Sequence, residues 1–153
     1  MVENYEINSS TLALIALKNK TEVFEENDHF FVDKLANEIM EDSCAYFGSS
    51  LAGRQKGTEK LIGISYKAPV IVEESSEIIF FPTKSPRQES CSWIALSKIN
   101  QYSRIGDKML IEFKNGSRVV LSMSYGILDN QVLRATRLES VLRGRKNDKN
   151  CFK

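Results

Sequence analysis

Apolar residues in this chain come in short runs broken by polar clusters, the signature of strands and turns rather than of long helices. YEINSSTLALIAL, residues 5–17, reads as strand, turn, strand, because NSS interrupts two apolar stretches. The charged KNKTEVFEEND then leads to HFFV at 29–32, a further short strand. In VDKLANEIMEDSCAYF, Leu35, Ile39 and Tyr46 recur near helical spacing and predict a short helix beside the glycine-rich stretch that follows. APVIVEESSEIIFFPT sets two apolar runs around EESSE, a hairpin bracketed by Pro69 and Pro82 at strand ends, where no ladder donor is lost. KMLIEF and SRVVLSMS flank Asn115–Gly116, the preferred type I′ pair. A two-residue loop pairs Ile111 with Val120 and Leu110 with Leu121, leaving apolar residues on both faces, so this hairpin is expected to be covered on both sides.

SYGILDNQVLRATRLESVLRGRK closes the pattern with helical periodicity. Leu128, Val132, Ala135, Leu138 and Leu142 fall on one stripe, and Asn130, Arg134 and Arg137 on another face, which Arg145 joins if the helix continues past Gly144. The expected fold class is therefore α+β: mostly antiparallel β hairpins with a C-terminal amphipathic helix and a short helix near the glycine-rich loop. The chain of 153 residues fits one domain over 1–143, with 144–153 a basic, flexible tail.

Composition narrows the class. Apolar residues at 42% and charged residues at 27% are those of an ordinary globular protein. The longest purely apolar run, residues 12–17, is far below the roughly 20 residues a bilayer requires. The acidic start MVENYE lacks the basic region of an export signal, so a cytoplasmic protein is expected. Cys44, Cys91 and Cys151 are odd in number and far apart, with no CxxC, which points to neither a disulfide framework nor a zinc site. No metal and no cofactor is expected. The net charge of +1 conceals a split. Residues 1–50 carry three lysines against ten acids, −7, and residues 51–153 carry 18 cations against ten acids, +8. Such polarity suggests one anion-seeking surface.

The stretch GSSLAGRQKGT, residues 48–58, concentrates groups that wrap a phosphate: glycines, the hydroxyls of Ser49, Ser50 and Thr58, and the cations Arg54 and Lys56. Gly48 and Gly53 have P-loop spacing, but Arg54 and Gln55 stand where that motif needs Lys and Ser or Thr, which leaves a nucleotide's magnesium unheld. Nucleophilic catalysis has little support, because the only histidine, His29, sits beside Phe30 and Phe31, where a half-buried imidazole on a strand explains it. Catalytic residues are therefore not assigned. Nucleic-acid binding gathers more: Arg54, Lys56 and Lys60 among glycines, Lys84 and Arg87 after Phe81–Pro82, and Arg134 and Arg137 sharing a helix face with Asn130. Arg143–Gly144–Arg145–Lys146 resembles the R-G-R core that lies in A·T-rich minor grooves, although a basic helix end explains the same residues.

SCAYFGSSLAGRQKGT, ISYKAPVIV, IIFFPT, CSWI and FKNGSRVVLSMSYGILDNQVLRATRL resemble, in order and spacing, the ComK competence transcription factors of Gram-positive bacteria, over roughly residues 5–138. The resemblance implies a sequence-specific activator of late competence genes that binds paired A·T-rich promoter boxes, largely through the minor groove, as an oligomer of dimers that helps RNA polymerase engage. It implies a nucleoid-associated protein with double-stranded DNA as partner and no membrane. The DNA-binding residues expected on this reading are Ser49, Ser50, Arg54, Lys56, Thr58, Asn130, Arg134 and Arg137, with Arg54 on phosphate or in the groove. The glycines equally suit a sharp helix start or a dimer contact. Family members continue for several dozen residues, including a hydrophobic-aromatic segment used by an adaptor to a Clp protease. This chain stops at RGRKNDKNCFK, which puts adaptor-mediated turnover in doubt and keeps open a competing regulatory or protein-interaction module lacking full activation.

Overall fold

A computed structural model describes the backbone of residues 1–151 and the side chains of residues 1–148. Three strands open the chain: β1 (Thr11–Leu17), β2 (Lys20–Glu25) and β3 (His29–Val32). Two helices follow, α1 (Ala36–Tyr46) and α2 (Leu51–Ile62). β4 (Val70–Glu73), β5 (Ile78–Pro82) and β6 (Trp93–Ala95) come next. A 3₁₀ turn at Leu96–Lys98 leads to β7 (Ile99–Ile105), β8 (Lys108–Phe113), β9 (Arg118–Leu121) and the long α3 (Tyr125–Cys151). The class is α+β, as expected. No helix among the described residues is long and apolar enough to cross a membrane.

Six strands form one antiparallel sheet in the order β3-β2-β1-β6-β5-β4, and three form a second, β7-β8-β9. In the larger sheet the central strands are apolar on both faces, so both need cover. Leu12, Ala13, Ile71, Ile79, Phe81 and Ile94 join Leu128, Ala135, Leu138 and Leu142 of α3 and the inner face of the small sheet in one core. Leu14, Val23, Val70, Val72, Phe80 and Trp93 join Ala36, Ile39 and Met40 of α1 in a second. Each fully buried phenylalanine contributes about 1.5–3 kcal/mol. α2 packs along the edge strand β4 between α1 and α3, and blunts that edge. The three helices thus wrap one end of the sheet: α1 on one face, α2 at the edge, α3 on the other face.

Three expectations need correction. Residues 5–7 form no strand. Ile7 is buried and its N–H donates to the Ser43 hydroxyl of α1 at 2.9 Å, so the segment crosses to the helix instead of pairing. The charged stretch before β3 holds β2, whose Thr21 and Val23 face inward on either side of Glu22. In the β8–β9 hairpin, Leu110 pairs with Val120 and Ile111 with Val119, one residue off the expected register. The loop has three residues: Phe113 N donates to Ser117 O and Gly116 N to Phe113 O, with Gly116 at φ +91°, a left-handed position that costs an L side chain strain. This shift puts Met109, Ile111, Phe113, Val119 and Leu121 on a single buried face and leaves Val120 50% exposed, so the hairpin is covered on one side only. α3 runs through Gly144 to Cys151 as one helix. The last two residues of the expected tail lie outside the described residues.

Candidate nucleic-acid interface

The glycine-rich stretch is for the most part a helix start. Gly48, at φ +85°, turns the chain sharply out of α1, and its N–H and that of Ser49 donate back to Ala45 O and Cys44 O. Ser50 is the N-cap of α2, its hydroxyl accepting from Gly53 N at 2.9 Å. Leu51 N donates to the Glu41 carboxylate of α1 at 3.2 Å. An anion already occupies the helix's positive end, and it belongs to the protein. Of the two readings open for these glycines, the structure therefore displays the sharp helix start, and two donors of the expected phosphate cradle are already engaged.

From there the helix sorts its side chains by spacing. Ser50, Arg54 and Thr58 lie four apart on the face turned to the sheet. Thr58 is 1% exposed, and its hydroxyl donates to Pro69 O at 2.6 Å and Arg54 O at 3.2 Å. As an expected phosphate contact Thr58 is corrected: its donor is spent inside the fold. The Arg54 side chain is 18% exposed, with its guanidinium 3.3 Å from Glu74 on the β4–β5 turn. Lys56 and Lys60, by contrast, are exposed on the outer face and make no ion pair among the described residues. Ser49 is half-buried at the start of the helix.

α3 sorts its residues likewise. Leu128, Ala135, Leu138 and Leu142 are buried and Val132 half-buried, as the periodicity predicts. Asn130 and Arg137 are exposed on the opposite side, and Arg137 has no ion-pair partner among the described residues. Arg134 is half-buried and donates to Tyr66 O, in the loop after α2, at 2.9 Å. Further along, Arg143 pairs with Glu77 at 2.8 Å and Glu139 at 3.7 Å, and Lys146 with Glu77 at 3.7 Å. The bond to Glu77 raises the Arg143 pKa further. Lys146 also donates to Glu74 O at 3.0 Å. Cations from both helices thus converge on the acidic β4–β5 turn.

α2 and α3 pack against each other and carry most of the expected positions. They divide into two sets. Lys56, Asn130 and Arg137 face solvent, whereas Ser50, Arg54, Thr58 and Arg134 are engaged in capping, an ion pair or hydrogen bonds. What sequence reasoning missed is Gln131, 1% exposed on α3, which donates to Lys67 O at 3.0 Å and Pro82 O at 2.8 Å. Asn37 of α1 was missed too. It accepts from Trp93 Nε1 at 2.9 Å and donates to Pro86 O at 2.7 Å and Gln88 O at 3.2 Å. No local motif marks either residue, because their partners lie far away in sequence.

Among the described residues, neither the Cys44 nor the Cys91 thiol pairs with the imidazole. His29 Nε2 lies 2.6 Å from Glu22, and its ring packs on Phe24. Burial pushes the Cys44 and Cys91 thiols up to about 11, with Arg54 and Glu41 the charged neighbours of the first and Lys84 and Lys67 those of the second.

Fold and surface together define an α+β domain that carries cations on two adjoining helices beside a sheet covered on both faces. A family model described as ComK protein matches residues 2–147, and the chain belongs to that family. It is 33% identical over 149 residues to the competence transcription factor of Bacillus subtilis (strain 168), an alignment covering 94% of this chain and 78% of that relative. No solved structure matches.

Proposed function

We propose that the chain is a sequence-specific DNA-binding activator of late competence genes, nucleoid-associated in the cytoplasm, that recognises paired A·T-rich promoter boxes mainly through the minor groove and backbone. Membership of the ComK family supports the regulatory part of this reading. The observation that carries the DNA contact is the unpaired, outward set Lys56, Asn130 and Arg137 on two packed helices. Lysine and arginine there attract phosphates regardless of sequence, and an arginine gains most in a narrow A·T-rich groove, where the potential is most negative. Ser49 lies at the start of the same α2. Ser50, Arg54 and Arg134 act from behind, holding the helix start, the β4–β5 turn and the 63–69 loop. The exposed Ile105, Val120, Ile127 and Leu133 supply apolar surface for a second copy or for RNA polymerase.

Fluorescence anisotropy with a paired-box duplex and a scrambled duplex tests the reading. Binding is expected to be tighter on the boxes, and Lys56→Gln and Arg137→Gln are each expected to flatten the salt slope by about 0.9. Equal affinity for both duplexes removes the sequence-specific part; unchanged slopes remove those two contacts. Crosslink mapping with transcript profiling separates activation from competition: occupancy without transcript change supports a competing regulator.

A further inference from the structure

A groove of about 720 Å³ opens between the 63–69 loop after α2 and the 83–92 loop before β6. One wall carries Ser65, Tyr66 and Lys67, the other Ser85, Pro86, Arg87 and Gln88, and Gln55 of α2 lies at the floor with Leu51. Among the described residues, no carboxylate lines it. Side-chain donors do: one ammonium, one guanidinium, two amides, two serine hydroxyls and the Tyr66 phenol.

We propose that this groove seats a phosphodiester backbone of duplex DNA, with Lys67 and Arg87 as phosphate contacts beyond the α2–α3 face. The proposal rests on the DNA-binding reading above. Three observations carry it. First, neither Lys67 nor Arg87 forms an ion pair among the described residues, so both cations lack a counter-charge. The Lys67 ammonium sits instead 5.8 Å from the centre of the Tyr66 ring, which is 68% exposed. Second, both walls are held from behind by side-chain amides, that of Gln131 buried and that of Asn37 half-buried. Gln131 holds Lys67 O and Asn37 holds Pro86 O and Gln88 O, so the backbone of the two walls is held in place before any ligand arrives. Lys67 itself is held at φ +51°, an uncommon position for a residue with a side chain. Third, Arg134 of α3 bonds Tyr66 O, so the near wall continues the helix that carries Asn130 and Arg137. A groove lined by donors without carboxylates matches a chain of regularly spaced anions better than it matches a peptide, whose interface would need a desolvated apolar anchor.

The test compares the full chain with Lys67→Gln/Arg87→Gln on a short random-sequence duplex, by anisotropy across a salt series. Two lost phosphate contacts are expected to reduce the slope by about 1.8 in log–log units. The charge-conserving pair Lys67→Arg/Arg87→Lys is expected to keep the wild-type slope, which guards against a variant that merely folds badly. If the wild-type chain fails to bind any duplex, the DNA-binding reading falls and this proposal with it. If the wild type binds and the neutral pair leaves the slope unchanged, the proposal alone is overturned. Loss of binding to polyglutamate with duplex binding intact also overturns it, and makes the groove a site for acidic protein segments.

Discussion

Thr58 and Lys56 stand two apart on one helix and have opposite fates, because that offset turns one toward the sheet and the other toward solvent. The Thr58 hydroxyl satisfies Pro69 O, a carbonyl in buried surroundings. Thr58→Val keeps the volume but orphans that carbonyl, and is expected to lower stability by about 1–3 kcal/mol. Urea unfolding should register the loss as a lower midpoint, whereas the salt slope of DNA binding should stay at the wild-type value. A changed slope would restore Thr58 to the interface. Tyr102 offers a comparable case in pH. Burial, then the hydrogen bond it donates to Asp129 at 2.6 Å, pushes its phenol up to about 12. An ordinary phenol titrates near 10, so the neutral form is favoured in the fold, and its contribution is complete below about pH 10 and disappears as pH rises through about 12. Tyr5 is raised as well, by burial and by Glu25, and adds to the same alkaline loss. Tyr102→Phe is expected to unfold earlier at neutral pH and to show a shallower decline between pH 10 and 12. A midpoint–pH profile identical to the wild type would contradict this.

The β4–β5 turn shows what an element does that no single residue does. Its Glu74 and Glu77 receive Arg54 from α2 and Arg143 and Lys146 from α3. On the proposed DNA-binding reading, cations paired in this way would release fewer counterions when DNA arrives, and the turn would hold down non-specific affinity. Glu77→Gln is expected to free Arg143 and Lys146, tighten binding to random duplex at low salt and steepen the salt slope. Unaltered binding would mean that these cations point away from the bound duplex. EESSE was legible in the sequence as a hairpin loop, because its acids separate two apolar runs. Its role as a counter-charge was not, since its partners lie about 20 to 70 positions away. The β8–β9 register failed for a related reason. Asn115–Gly116 favours a two-residue turn locally, but Lys114 N is held by Lys98 O and the Asn115 amide by Glu26 O, contacts that only the assembled sheets provide. α3, in contrast, was readable almost throughout, since a helix on an apolar sheet repeats its stripe every turn.

Helices α1 and α3 cover opposite faces of the large sheet, yet each sends a side-chain amide to the same groove. Asn37 reaches the 83–92 loop from one face, and Gln131 reaches Lys67 and Pro82 from the other. The cationic polarity of residues 51–153 was legible from charge counts, and so was the candidacy of Arg54, Lys56 and the outer face of α3; that Leu51–Ile62 is itself a helix was not, because its glycines read as a loop. Which cations stay free depends on how the three helices wrap the sheet, and that follows from packing. Asn37 allows this wrapping to be tested apart from charge. Asn37→Ala leaves Trp93 Nε1 and two loop carbonyls without their partner while every cation is retained. If the groove is preorganised through the fold, the variant should bind duplex more weakly at every salt concentration, with the slope preserved, because the number of phosphates neutralised is unchanged but the loop must be ordered on binding. Stability should fall as well, so the comparison belongs well below the unfolding midpoint, checked by the fluorescence of Trp93, the single tryptophan. A parallel loss of slope would mean that Asn37 sets which cations reach the DNA. Wild-type affinity would mean that the loop carrying Arg87 is not ordered through α1.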